Sequence, residues 1–124
     1  MTVAVVFSLP PKSLHPNARG HWKWVARDRH RYSDSCIART LNALAGNRPR
    51  WKYAACQLRY YRTSKRRMDP DKLLSWAATA IDALQEAGLI ENDKWLTHLP
   101  VEQVLGVPVQ DERLEIEITP EREP

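Results

Sequence analysis

The sequence predicts a single α+β domain with the element order β-α-β-α-β-β, a mixed sheet with helices packed on it. Three observations lead there. At 124 residues the chain has room for one hydrophobic core. Its apolar residues switch between two-residue and three-to-four-residue spacing along the chain. No internal repeat or linker-like stretch divides it, so strands and helices must share that core.

Residues 3–9 (Val-Ala-Val-Val-Phe-Ser-Leu) are β-branched and apolar and predict the first strand. Pro10-Pro11 ends it, and the stretch through His15-Pro16-Asn17 to Gly20 has loop composition. A helix is expected from Trp22 to about Ala45, with Tyr32, Cys36, Ile37, Thr40, Leu41 and Leu44 as its buried stripe. Lys23, Arg27 and Arg31 recur every four residues on that helix and form a basic ridge. Residues 51–62 predict a second strand, with Cys56, Leu58 and Tyr60 on one face and Gln57, Arg59 and Tyr61 on the other. Thr63 to Met68 is a basic turn. Asp69-Pro70 is a helix start, because Asp caps well and Pro suits the first helical position. Leu73, Ala77, Ile81 and Leu84 line one face of that helix, and Gly88 ends it. Two strands are expected to follow, at about 95–104 and 112–119, the second with Leu114, Ile116 and Ile118 facing inward. Residues 1–119 form the expected domain and 120–124 a frayed tail.

Composition narrows the function classes. The apolar runs fall short of the roughly 20 residues a membrane span needs, and the amino terminus lacks a basic region before its short apolar run. A cytoplasmic protein without a membrane partner is therefore expected, with Cys36 and Cys56 reduced and structural. Charge is strongly partitioned. Residues 1–67 carry 15 of the 19 Lys and Arg against two acids, Asp28 and Asp34, a net +13; residues 68–124 carry four bases against 13 acids, a net −9. A basic half suits a polyanionic partner through counterion release. Alternatively, the two halves pair with each other across the fold.

The candidate chemistry lies at the boundary between the halves. Asp69 and Asp71 can be read as a helix cap and a first-turn carboxylate favoured by the helix dipole. They also follow Lys65-Arg66-Arg67, which packs acids beside phosphate-binding bases, and Asp93 lies just past the same helix. A helix of that length separates its ends by about 25 Å, so Asp93 joins the pair only by a return path or across a dimer. Clustered carboxylates supply the hard oxygen ligands that Mg²⁺ takes, and such an ion serves phosphodiester hydrolysis. Rival chemistries lack their patterns. His15, His21, His30 and His98 show no zinc spacing, four scattered glycines build no phosphate loop for a nucleotide cofactor, and no serine has a G-x-S-x-G context. Pro70-Asp71 with Glu91 and Lys94 misses the PD-(D/E)xK spacing by one residue. Trp22 and Trp24 around Lys23, and Tyr60-Tyr61 between Arg59 and Arg62, fit either base stacking or partial burial in the core.

Several of these motifs together resemble the RusA-type family of Holliday-junction resolvases. They are Leu9-Pro-Pro11 after the first strand and Asn17-Ala-Arg-Gly-His-Trp22 before a basic helix. Arg67-Met-Asp-Pro-Asp71 opens the second helix, followed by Ile81-Asp-Ala-Leu84 and Ala87-Gly-Leu-Ile90 running into Asn92-Asp93. The resemblance implies a homodimer that cuts four-way DNA junctions in pairs with Mg²⁺, or Mn²⁺ as the alternative ion. It implies that Asp69, Asp71 and Asp93 are the catalytic, metal-holding carboxylates. Lys72 stands where the family usually has Asn, and the family's helix lysine is replaced by Ser75 or Ala78, depending on the counting. Lys72 is then expected to serve the scissile phosphate. Lys23, Arg27, Arg31, Arg62, Lys65, Arg66 and Arg67 are the expected DNA contacts. A non-catalytic junction-binding protein on the same scaffold is the alternative.

Overall fold

Alternation builds the sheet. In the computed structural model, which describes residues 1–124, strand β5 (Arg113–Pro120) buries Leu114, Ile116 and Ile118 and turns Arg113, Glu115 and Glu117 outward. Strand β2 (Ala54–Arg62) does the same with Ala54, Cys56, Leu58 and Tyr60, and β1 (Val3–Phe7) with Val5 and Phe7. These inward sets meet because β5 pairs antiparallel with both neighbours, Ile116 opposite Val5 on one side and Leu58 on the other. The remaining strands, β3 (Leu96–His98) and β4 (Glu102–Leu105), lie end to end along the free edge of β2, both parallel to it.

Three α-helices cover the inner face: α1 (Trp22–Leu44), α2 (Pro70–Trp76) and α3 (Ala78–Glu86). Helix α1 buries Tyr32, Cys36, Thr40 and Leu44 against the sheet and α3. Leu41, expected in that stripe, is 38% exposed instead, since it stands one residue round from Thr40 and past the contact face. The first two and a half turns of α1 carry no buried residue. On α2 and α3, Leu73, Ala77, Ile81 and Leu84 are all buried, as the spacing predicts.

The expected α+β class and mixed sheet are present, with two elements divided. The single helix predicted after Asp69 is kinked at Ala77 (φ −83°, ψ −2°). The Tyr60 hydroxyl donates to the Leu73 carbonyl at 2.7 Å, and the Ala77 N–H, its helical donor, stands at 3.2 Å. A side chain entering the helical ladder is a recognised cause of such kinks. The strand predicted at 95–104 is broken by one inserted residue. His98 pairs with Cys56, but Glu102 pairs with Arg59, so three residues on the edge, 99–101, lie opposite two on β2, 57–58. This is a bulge. Gln57 bridges it by donating to the Pro100 carbonyl at 2.7 Å.

The outer face of the sheet is polar. Arg59 pairs with Glu102 at 2.6 Å, Glu117 at 3.1 Å and Glu115 at 3.6 Å. These hydrogen bonds and charges raise its pKa further. Of the bases in residues 1–67, Arg59 alone forms an ion pair with the acidic half. Pairing between the halves therefore leaves most of the basic charge free. Both cysteines are free and buried, and no helix is long and apolar enough to cross a membrane.

Candidate carboxylate site and nucleic-acid interface

Asp69 and Asp71 owe their positions to the start of α2. Asp69 is the N-cap, its Oδ1 accepting the Asp71 N–H at 2.9 Å, and Pro70 fixes the first helical residue. Both carboxylates are exposed. The residue before them is held from the sheet edge. Gln103 on β4 accepts the Met68 N–H and donates to the Met68 carbonyl, both at 2.9 Å. The turn leading there is fixed as well, because Arg62 donates to the Arg66 carbonyl at 3.0 Å.

Asp93 lies at the other end of the helical pair, in a short 3-10 turn, Asp93–Trp95. Its N–H donates to Gln85 Oε1 at 3.2 Å. Its negative charge reaches Asp82 on α3. Burial first, then the negative charges of Asp93 and Glu86, raise the pKa of Asp82. Within one chain no three His, Cys, Asp or Glu side chains gather to hold a metal ion. No such group unites Asp69, Asp71 and Asp93 within one chain. Asp69 and Asp71 stand at the start of α2, and Asp93 in the turn past the end of α3.

The basic residues fall into two connected groups. Lys23, Arg27 and Arg31 are exposed along α1, with Arg27 over the Trp24 ring at 4.6 Å and Lys23 over the Trp22 ring at 5.7 Å. Trp22 and Trp24 are 70% and 57% exposed, so they are not core residues. Tyr60, by contrast, is fully buried and stacks on Trp76 at 5.7 Å. Lys65, Arg66 and Arg67 are exposed on the turn before Asp69, and Lys72 is half-buried one residue after Asp71.

Between these groups runs the loop Pro10–Gly20, whose role the sequence alone does not disclose. Ser13 ties it to α1 through Asp28 at 2.7 Å, and Trp76 Nε1 donates to the Pro11 carbonyl at 2.9 Å. His15 Nδ1 accepts the Asn17 N–H at 3.1 Å, so the neutral ring carries its proton on Nε2, facing Met68 Sδ at 3.1 Å. Burial first, then the positive charges of Lys72 and Arg62, lower the pKa of His15. Gln103, His15 and Trp76 thus organise the region around Asp69 without belonging to any motif. Only the density of special residues in His15-Pro16-Asn17 hints at it.

No protein-family model matches the chain, and no curated protein is significantly similar to it.

Proposed function

We propose that the protein is a Mg²⁺-dependent, structure-selective DNA endonuclease, acting in the cytoplasm as a homodimer on four-way junctions, as its resemblance to RusA-type resolvases implies. The observation that supports this most is the setting of Asp69 and Asp71. Two exposed carboxylates stand at a helix start, between the bases of the Lys65–Arg67 turn and Lys72. Carboxylates among phosphate-binding bases suit a divalent ion and the phosphodiester it serves.

One chain supplies two of the three expected carboxylates. A second copy related by a two-fold axis is the route by which Asp93 of the partner subunit reaches the pair, and it sets two sites for two cut strands. A divalent ion held there would neutralise the carboxylates and the charge developing on the phosphate. The chain's own part is to position. Gln103 and the Asp69 cap fix the carboxylates, Lys72, Arg66 and Arg67 hold the phosphate, and Lys65 and Arg62 extend that contact. Lys23, Arg27 and Arg31 hold a duplex arm along α1, with Trp22 and Trp24 beside them.

The absence of lysine at Ser75 and Ala78 favours a second reading, a junction-binding protein without turnover. One assay separates the two. A labelled synthetic four-way junction is incubated with purified protein, with and without Mg²⁺, beside Asp71→Asn. Paired metal-dependent nicks that vanish in the variant support the nuclease. Tight binding without cutting in Mg²⁺ or Mn²⁺ would sink it in favour of the binder.

A further inference from the structure

The loop Pro10–Gly20, the end of β2, Met68 before α2 and Trp76 at the last position of α2 line a cleft of about 930 Å³. Sites that hold small organic ligands occupy about 300–1,000 Å³. Its lining includes the cations Lys12, Arg19 and Arg62 and the apolar Pro10, Pro11, Met68 and Trp76. Its one acid, Glu112, is already engaged, Oε2 accepting both the N–H and the hydroxyl of Thr63 at 3.1 Å. The cleft therefore offers a net positive lining, three bases against one acid, beside an apolar surface. It is also pre-formed. Trp76 is pinned to Pro11, and His15 to Met68, so little ordering remains for a ligand to drive.

We propose that this cleft binds one unpaired nucleotide of a DNA strand, its phosphate on Arg19 and Arg62 and its base against Pro11, Met68 and Trp76. A duplex is too wide to enter such a space, whereas a single extruded nucleotide fits one. Met68 lines the cleft and precedes Asp69, so the nucleotide held there adjoins the phosphate presented to the carboxylates. Branched DNA carries its most easily unpaired nucleotides at the branch, and a pocket of this kind selects for them. The assignment rests on the nuclease reading for the reason DNA arrives, but not for the binding itself.

The test uses the full-length protein in EDTA, so that binding is read without cutting. A duplex carrying one unpaired 5-iododeoxyuridine is bound, irradiated and digested, and the cross-linked peptides are mapped. Cross-links to His15, Met68 or Trp76 are expected. Affinity for the same DNA should fall roughly tenfold in Arg19→Ala, as for loss of one charge-assisted bond to phosphate, and stay unchanged in Arg122→Ala. Cross-links confined to Trp22 and Trp24, or an Arg19→Ala protein that binds normally, would overturn the assignment. So would free thymidine monophosphate or inorganic phosphate binding as tightly as the DNA, which marks a free-nucleotide or anion site instead. Cleft cross-links in a protein that never cuts junctions in Mg²⁺ would keep this site and remove the nuclease reading. Cutting with cross-links elsewhere would do the reverse.

Discussion

The Gln103 side chain binds both backbone polar groups of Met68, accepting its N–H and donating to its carbonyl at 2.9 Å each. A residue on the edge of the sheet thereby fixes the approach to the Asp69 cap. Gln103→Ala removes both bonds, and each lost bond costs about 1 kcal/mol where water replaces it poorly. We expect a lower melting temperature and a larger loss in junction cleavage than in junction binding, since the carboxylates and not the basic ridge lose their support. Equal losses in the two assays would show that Gln103 acts on the fold alone.

Asp69 has two roles that substitution can separate. Asn caps a helix about as well as Asp, so Asp69→Asn should unfold within a few tenths of a kcal/mol of the wild type, while Asp69→Ala should lose about 1 kcal/mol. Both remove the carboxylate, and both should abolish metal-dependent cutting. Urea denaturation and the junction assay, run on the same preparations, check the two roles together. Cutting by the Asn variant would leave Asp69 as a cap only.

His15 gives stability a pH dependence of definite sign. Its folded-state pKa lies below the ordinary 6.5, chiefly through burial, so the folded protein binds this proton more weakly than the unfolded chain does. The contribution is complete above the unfolded value and is lost as pH falls through the lowered folded value. Protonation also removes Nδ1 as the acceptor for Asn17. Melting curves from about pH 7 downward should therefore fall more steeply for the wild type than for His15→Gln, which does not titrate. Parallel curves would contradict this account.

Burial pushes the thiols of Cys36 and Cys56 up to about 12. Thiolate is the reactive form, so both should resist a disulfide reagent in native buffer and react at once in denaturant. Quantified thiol release checks this. Rapid labelling of the native protein would mean that α1 opens from the sheet.

Much of this fold is written in local spacing. Leu114, Ile116 and Ile118, and the set Leu73, Ala77, Ile81 and Leu84, are buried as their periods require. What spacing cannot carry is contact between distant segments. The helix break at Ala77 lies one turn from the Leu73 carbonyl that Tyr60, on a distant strand, also binds, and the break in the edge strand lies in its register against β2. The candidate site divides along the same line. Asp69 and Asp71 are legible because cap, proline and charge boundary are sequence-local. Gln103 and His15 touch Met68 from 35 and 53 residues away and leave no local signature. Asp93 is legible as a residue, but its neighbours depend on how α2 and α3 run, and no spacing rule reveals that its charge acts on Asp82.

Mixing two inactive variants tests the proposed carboxylate site shared between two copies of the chain. Asp71→Asn and Asp93→Asn are each expected to be inactive as homodimers. After unfolding and refolding together, the mixed dimer would contain one doubly altered site and one intact site. A shared site predicts that the mixture nicks a four-way junction in Mg²⁺, on one strand per dimer, although neither variant does so alone. A mixture as inactive as its components, beside an active wild type refolded the same way, would contradict it.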